Sequence, residues 1–379
     1  MNFLSICMVL VASTLAGLNG TLCAIYDPHF YRAGYFYFEP RFEKKALTSF
    51  DVTAAGGSTC TARDACGNKT CLFNGRRGLP AEESSDSNTS TTNSTTQSES
   101  SSNADNLERG KFAIVEGTFL YTQNICHGFF TQFFIPVKRL ELTESDSHQL
   151  AMKKNGVGDA VWYLGWTKNY QETIKLDYID FTAKLGALIP SADPANPSLL
   201  DIPLGYNKHP GIAFTLDSSI GAYDWLTVGG HLGALALFDR ETTACMQTDL
   251  QPNDVTAFIK GKACEHSGPI VQAAAYAKAD HLVRGFSLLT GYSFTQKAHD
   301  CLTPCDTKLF TQRIVNQDPR LQGWEMHVIH LFAEYDFTQE DMQFGPRVGL
   351  FYNHPFAGKR IFITNMTGGT IGLDIDWQF

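Results

Sequence analysis

The stretch that decides the fold is TIGLDIDWQF, Thr370–Phe379. Ile371, Leu373, Ile375, Trp377 and Phe379 alternate with Gly372, Asp374, Asp376 and Gln378. A period of two sends alternate side chains to opposite faces of an extended strand. A water-soluble sheet must cover such an apolar stripe with protein. A bilayer covers it with lipid, provided that the sheet closes on itself and leaves no backbone group unpaired.

The same rhythm recurs upstream. In 209–225, HPGIAFTLDSSIGAYDW, Ile212, Phe214, Leu216, Ile220 and Ala222 oppose Ala213, Thr215, Asp217, Ser219 and Gly221. In 226–239, Leu226, Val228, Leu232, Ala234, Ala236 and Phe238 oppose Thr227, Gly229, His231, Gly233 and Asp239, with Leu235 and Leu237 blurring the polar face. Val271, Ala273, Ala275 and Ala277 oppose Gln272, Tyr276, Lys278 and Asp280. Ile329, Leu331, Ala333, Tyr335 and Phe337 oppose His330, Glu334 and Asp336.

The connections alternate as well. Short ones are expected at 124–128, 170–173, 223–225, 284–285 and 338–341. Long polar ones are expected at 143–156, 191–209, 240–268 and 299–323, after a first that opens near Ala54, with a short last one at 355–359. That asymmetry predicts an all-β chain: a transmembrane antiparallel β-barrel with short periplasmic turns and long extracellular loops. Counting gives about twelve strands, an even number as bacterial barrels require, with 31–50 as the first. A β-sandwich would also alternate, but it would bury its apolar face and protect its edges.

The ends and loops fill in the organisation. Residues 1–24 read as a secretory signal peptide, although no Lys or Arg precedes Arg32. Residues 25–379 then form the barrel domain, with a cysteine-containing, serine-rich extracellular loop at 56–110. Its tract 81–106 has nothing with which to build a core and is expected to be disordered. Beyond the signal no apolar run reaches the roughly 20 residues of a membrane helix. The chain has 379 residues, a net charge of -9 and only 18% charged residues, with no basic stripe to neutralise phosphates, so no nucleic-acid partner is expected. Of the ten cysteines, Cys7 and Cys23 leave with the signal. Export makes disulfides the expectation for Cys60, Cys66, Cys71, Cys245, Cys264, Cys301 and Cys305, with Cys245–Cys264 as the specific pair.

These residues resemble those of a bacterial outer-membrane β-barrel protein. The terminal strand is similar to the assembly signal of that class, which assigns Ile375, Trp377 and Phe379 to recognition by the barrel assembly machinery. A more distant likeness covers 112–379. Pro136 at the end of FFIPV and Gly158-Asp159 opening the next strand are similar to outer-membrane transporters associated with aromatic-compound degradation and to long-chain fatty-acid transporters. The resemblance implies an outer-membrane location, lipid and small solutes as partners, and no cofactor.

The polar face supplies candidate lumen-lining residues: Tyr163, Asp180, Lys184, Asp217, His231, Asp239, Lys278, Asp280, His330, Glu334 and Asp336. Such a face can tune which solutes pass. Its acidic bias favours cations or neutral solutes. Trp162, Trp166 and Tyr170 share the face of Leu164 and are expected in an interfacial aromatic girdle. No Ser–His pairing suits a barrel hydrolase: His327 and His330 face opposite ways, and His231 has Gly229 and Gly233 two positions away. No enzyme activity and no metal site are expected. The sequence thus favours a channel for passive uptake of small solutes, hydrophobic or aromatic ones included, with a surface-exposed structural or adhesion barrel as the alternative.

Overall fold

The computed structural model describes residues 46–59, 61–63, 69–71, 111–143, 152–173, 176–194, 203–223, 225–246, 248, 259–283, 285–318, 321–337 and 344–377. Nearly all are extended. In chain order the strands are β1 (Ala46–Thr59), β2 (Thr61–Arg63), β3 (Lys69–Cys71), β4 (Lys111–Cys126), β5 (Phe129–Thr143), β6 (Met152–Val157) and β7 (Ala160–Thr173). There follow β8 (Leu176–Ile189), β9 (Gly211–Ala222), β10 (Leu226–Leu237), β11 (Arg240–Met246), β12 (Ile259–His266) and β13 (Ile270–Val283). The last are β14 (Phe286–Lys297), β15 (Cys301–Pro304), β16 (Trp324–Asp336), β17 (Phe344–Lys359), β18 (Ile361–Phe362) and β19 (Met366–Trp377). One short helix, α1, spans Gln312–Val315.

Thirteen segments form one antiparallel sheet, and the pairing of β4 with both β1 and β5 closes it. Segments β6 and β7 both pair with β5, the first over Val137↔Val157 to Leu142↔Met152 and the second over Phe129↔Trp166 to Phe134↔Val161. They are two halves of one stave, so the wall is a barrel of twelve strands. Its unbroken strands run 12 to 16 residues, enough for the roughly 9–11 that a tilted strand needs to cross a bilayer. Closure leaves no edge, so every backbone group of the wall can find a partner within it.

The opening stretch lies at the seam. Strand β19 pairs with β1 from Ala46↔Trp377 to Gly56↔Thr367, so the last strand meets the first. Ile375 stands opposite Thr48; Phe379 lies outside the described residues. The first strand is Ala46–Thr59, later than the expected 31–50. In it Val52 and Ala54 face out while Thr53 and Ala55 face in. Residues 31–45 lie outside the described residues, as do the signal segment and most of 56–110. The loop expected from residue 56 starts later, because 56–59 still belong to β1.

At one end of the barrel Cys126 reaches Phe129 through His127 and Gly128, both at positive φ (51° and 84°), the geometry of a two-residue hairpin turn. Thr173–Leu176, Ala222–Leu226, Val283–Phe286 and Asp336–Phe344 turn at the same end. The longer connections share the other end, and several carry structure of their own, among them a small sheet of β18, β2 and β3. Strands β11, β12 and β15 form a separate sheet with its own core of Met246, Ala263, Leu302, Phe310, Val315 and Leu321. The segments 240–268 and 299–323, read as loops, thus pack against each other as a cap. The expected outer connection at 355–359 is instead the end of β17, which carries a bulge opposite His327 and Val328 and runs on to Lys359.

The outer face of the wall is apolar. Leu232, Leu331, Leu350 and Ile371 are between 49% and 67% exposed, which no aqueous solvent would favour and lipid does. Aromatic residues ring both ends. Tyr170, Tyr223, Trp225, Tyr335 and Phe337 stand near the turn end; Tyr292, Phe294, His327 and Phe356 cluster near the loop end. Trp162 and Tyr170 face outward as expected, and Trp166 packs edge-on against Phe181 on the same outer face.

Candidate functional site: the barrel interior

The interior is built by the inward-pointing alternate residues. On the side formed by β4, β5, β7–β10 and β13, Leu120, Phe134, Val161, Tyr163, Leu188, Leu235 and Ile270 make a continuous apolar patch. Next to it, nearer the loop end of β4 and β5 and extending over β1, β17 and β19, Ala55, Ile114, Leu140, Phe351 and Met366 make a second. The connection from β8 to β9 bridges them. Its Tyr206 packs in the first patch, and its Leu204 and Ala192 pack in the second. The ends of this connection therefore lie inside the barrel, against its wall.

The break between β6 and β7 holds the connection there. The Gly158 N–H donates to Pro136 O at 2.8 Å, and Pro136 has no N–H to offer the wall in return. Asp159, fully buried at the break, turns inward. Its carboxylate accepts the backbone N–H of Ala192 at 2.9 Å and of Tyr206 at 2.5 Å. Gly205 lies so close to that carboxylate that a Cβ would overlap it. The Gly158-Asp159 pair noted in the sequence is thus a fastening point for an inward-folded loop.

The far end of the loop is tied to the cap. His209 shares Nδ1 with Phe238 O at 2.8 Å and places Nε2 3.2 Å from Glu265 Oε2. Asn207 donates to the same Glu265 oxygen at 3.2 Å, and Arg240 donates to Asn207 O. Burial alone would lower the His209 pKa, but the Glu265 carboxylate and the Phe238 carbonyl outweigh it and hold the group above its ordinary value.

Toward the turn end the interior is polar. Asp217 on β9 takes Lys184 of β8 at 3.7 Å and His231 of β10 through Nδ1, all three buried. Lys184 also lies over the Tyr163 ring, 5.7 Å from its centre. Asn169 donates to Asp180 at 2.5 Å. Asp280 accepts from Thr227 at 3.1 Å and Ser287 at 3.2 Å and pairs with Lys278 at 2.8 Å. Across the lumen His330 sits between Ser293 at 2.8 Å and Asn353 at 2.9 Å. Arg347 reaches Asp51 at 3.1 Å and Asp374 at 3.3 Å. Ion pairs this deep need such additional bonds to offset the loss of hydration.

Ten of the eleven candidate lining residues share the inward face of their strands: Tyr163, Asp180, Lys184, Asp217, His231, Lys278, Asp280, His330, Glu334 and Asp336. Asp239 does not. The wall strand β10 ends at Leu237, and Asp239 stands on the exposed rim beside His266, at 2.8 Å. Arg347, Asn353 and Asp51 were missed. Alternation in GPRVGLFYN, where Arg347, Gly349, Phe351 and Asn353 oppose Val348, Leu350 and Tyr352, carries the signal for two of them.

The expected Cys245–Cys264 disulfide is ruled out by register. Cys245 stands opposite Lys260 and Cys264 opposite Glu241, four residues apart along the ladder. At about 3.4 Å per residue that is roughly 13 Å, beyond the ~7 Å that a disulfide can bridge. Cys301 and Cys305 are also four apart in one extended segment, and both are free thiols, like Cys126. Cys60, Cys66 and the side chain of Cys71 lie outside the described residues.

A closed twelve-stranded sheet with lipid-compatible exterior and charged interior is the architecture of a transmembrane β-barrel of the outer-membrane type. Its fold is similar to that of the COG4313 outer membrane channel from Pseudomonas putida F1, with a TM-score of 0.57 and 12% identity over 88% of this chain and 96% of that one. Lower similarity extends to the transport unit of the autotransporter AIDA-I from Escherichia coli, with a TM-score of 0.42 and 10% identity over 90% and 94%. The CymD monoaromatic hydrocarbon channel has a TM-score of 0.33 and 6% identity over 97% of each chain. No protein-family model matches the chain, and no curated protein does.

Proposed function

We propose that the protein is a gated outer-membrane channel for passive passage of small solutes, hydrophobic or aromatic ones among them. The observation that carries this reading is the pinned loop. A structural barrel can fill its lumen with side chains alone, whereas here a loop folds inward against two apolar patches, fastened to the wall by the Asp159 carboxylate and to the cap through His209. Displacing residues 203–206 would uncover Leu120, Phe134, Tyr163 and Leu235 as an apolar passage above the charged belt. Such a passage offers rings and alkyl chains a favourable surface. The charged belt below it holds more carboxylates than cations, which favours cations and neutral solutes over anions.

The experiment is reconstitution of the purified, heat-modifiable barrel into planar bilayers and liposomes. Discrete conductance steps or solute-dependent swelling, faster for small aromatic solutes than for sugars of equal size, are expected. A sealed barrel that conducts nothing and takes up nothing sinks the proposal. The long cysteine-bearing, serine-rich first loop favours a second reading as a surface adhesin. Deleting 82–106 separates the two: surface binding lost with conductance intact supports adhesion.

A further inference from the structure

We propose that Asp239, Cys264 and His266 form a binding site for a borderline-soft divalent cation such as Zn2+ on the rim of the cap. One ligand atom from each of the three lies within 4.8 Å of the other two. The ladder places them together. Cys264 and His266 are two apart on β12 and share one of its faces, the face opposite the cap's core residue Ala263. Arg240 stands opposite Glu265, so the preceding Asp239 comes alongside His266, and its Oδ2 reaches His266 Nδ1 at 2.8 Å.

The donor set suits the ion. Thiolate, imidazole and carboxylate are the three zinc ligand types, and three of them leave a fourth position open. In a tetrahedral site with bonds of about 2.0–2.3 Å, ligands stand roughly 3.5 Å apart. Rotation about exposed side-chain bonds closes that gap. A donor for the fourth position is also at hand. The Cys305 N–H donates to Lys262 O at 2.9 Å, which carries its thiol to the same face, diagonal to Cys264. Glu241, opposite Cys264, adds negative charge; Lys262, two residues along, opposes it. Asp239 and His266 alone would make an exposed ion pair that adds little to stability. The thiol beside them is what a mere ion pair has no use for.

The full chain, folded in detergent, reduced and stripped with chelator, tests this. Co2+ should produce a thiolate-to-cobalt charge-transfer band, and Zn2+ should abolish it with one equivalent in a C60S/C66S/C71S background. Cys264→Ser and His266→Ala should each weaken Zn2+ competition against a chromophoric chelator at least tenfold, while Cys126→Ser at the other end of the barrel leaves it unchanged. A measurement without variants guards against misfolding: Zn2+ should slow alkylation of Cys264 but not of Cys126. Variants that titrate like the parent, an alkylation rate indifferent to Zn2+, or a peptide map with Cys264 in a disulfide each overturn the site.

Discussion

The Asp159 carboxylate accepts the Tyr206 backbone N–H at 2.5 Å, joining a break in the barrel wall to a connection whose ends fold inward. It accepts Ala192 N–H at 2.9 Å as well. Hydrogen bonds to a charged acceptor contribute about 1.5–3 kcal/mol each. Asp159→Ala should therefore shift the loop toward its displaced state by at least tenfold, since 1.4 kcal/mol is one factor of ten. Gly205→Ala should act alike with the carboxylate intact, because its Cβ would overlap Asp159. Longer open times in single-channel records, with faster amide exchange at 203–206, are the expected readouts. Unchanged gating in both variants would remove the loop from the mechanism.

The second tether should respond to pH. The folded-state pKa of His209 is raised, so the stability it adds is complete below the unfolded value near 6.5 and is lost as pH rises through the folded value. Loop docking should accordingly loosen on moving from mildly acidic to alkaline conditions, and open probability should climb. His209→Gln should flatten that profile and remove the matching share of the pH dependence of barrel unfolding. A profile identical in the variant and the parent would assign the gating pH dependence to other groups.

The barrel was legible because its physics is local. Alternation over TIGLDIDWQF or GIAFTLDSSIGA needs only neighbours in sequence, and the faces of Asp217, His231 and His330 follow from it. What escaped depends on partners far along the chain. The Asp159–Tyr206 contact spans 47 residues, and nothing within either segment announces the other. Asp239 was placed in the lumen because parity alone cannot say where a strand leaves the wall. The cysteines misled because export suggests disulfides, while register, which sequence spacing does not contain, sets Cys245 four rungs from Cys264.

The outer face makes its own prediction. Leu232 points outward at 56% exposure, near the middle of β10. An arginine near the bilayer midplane costs a barrel about 2–4 kcal/mol. Leu232→Arg should lower folding stability in lipid vesicles by that amount, and by much less in a charged or short-chain detergent where the side chain can reach water. Equal losses in both would mean that this face does not meet hydrocarbon.

The charged belt separates architecture from passage. Lys184 and Asp217 are 5% and 2% exposed, so removing one partner strands the other without water. Asp217→Leu should then cost about 3–5 kcal/mol in denaturant unfolding from micelles, whereas Lys184→Met with Asp217→Leu should recover most of it, since an apolar pair of similar volume is often neutral or better. His231 loses its Nδ1 partner in both variants, so it does not bias the comparison. If the belt exists only to hold the barrel, the double variant should conduct like the parent. If it sets which solutes pass, the double variant should keep most of the parent's stability while passage of polar solutes falls relative to apolar ones of equal size, read in liposome swelling. The second outcome is expected, because the apolar pair would do the structural task at no greater cost, and the charges are there nonetheless.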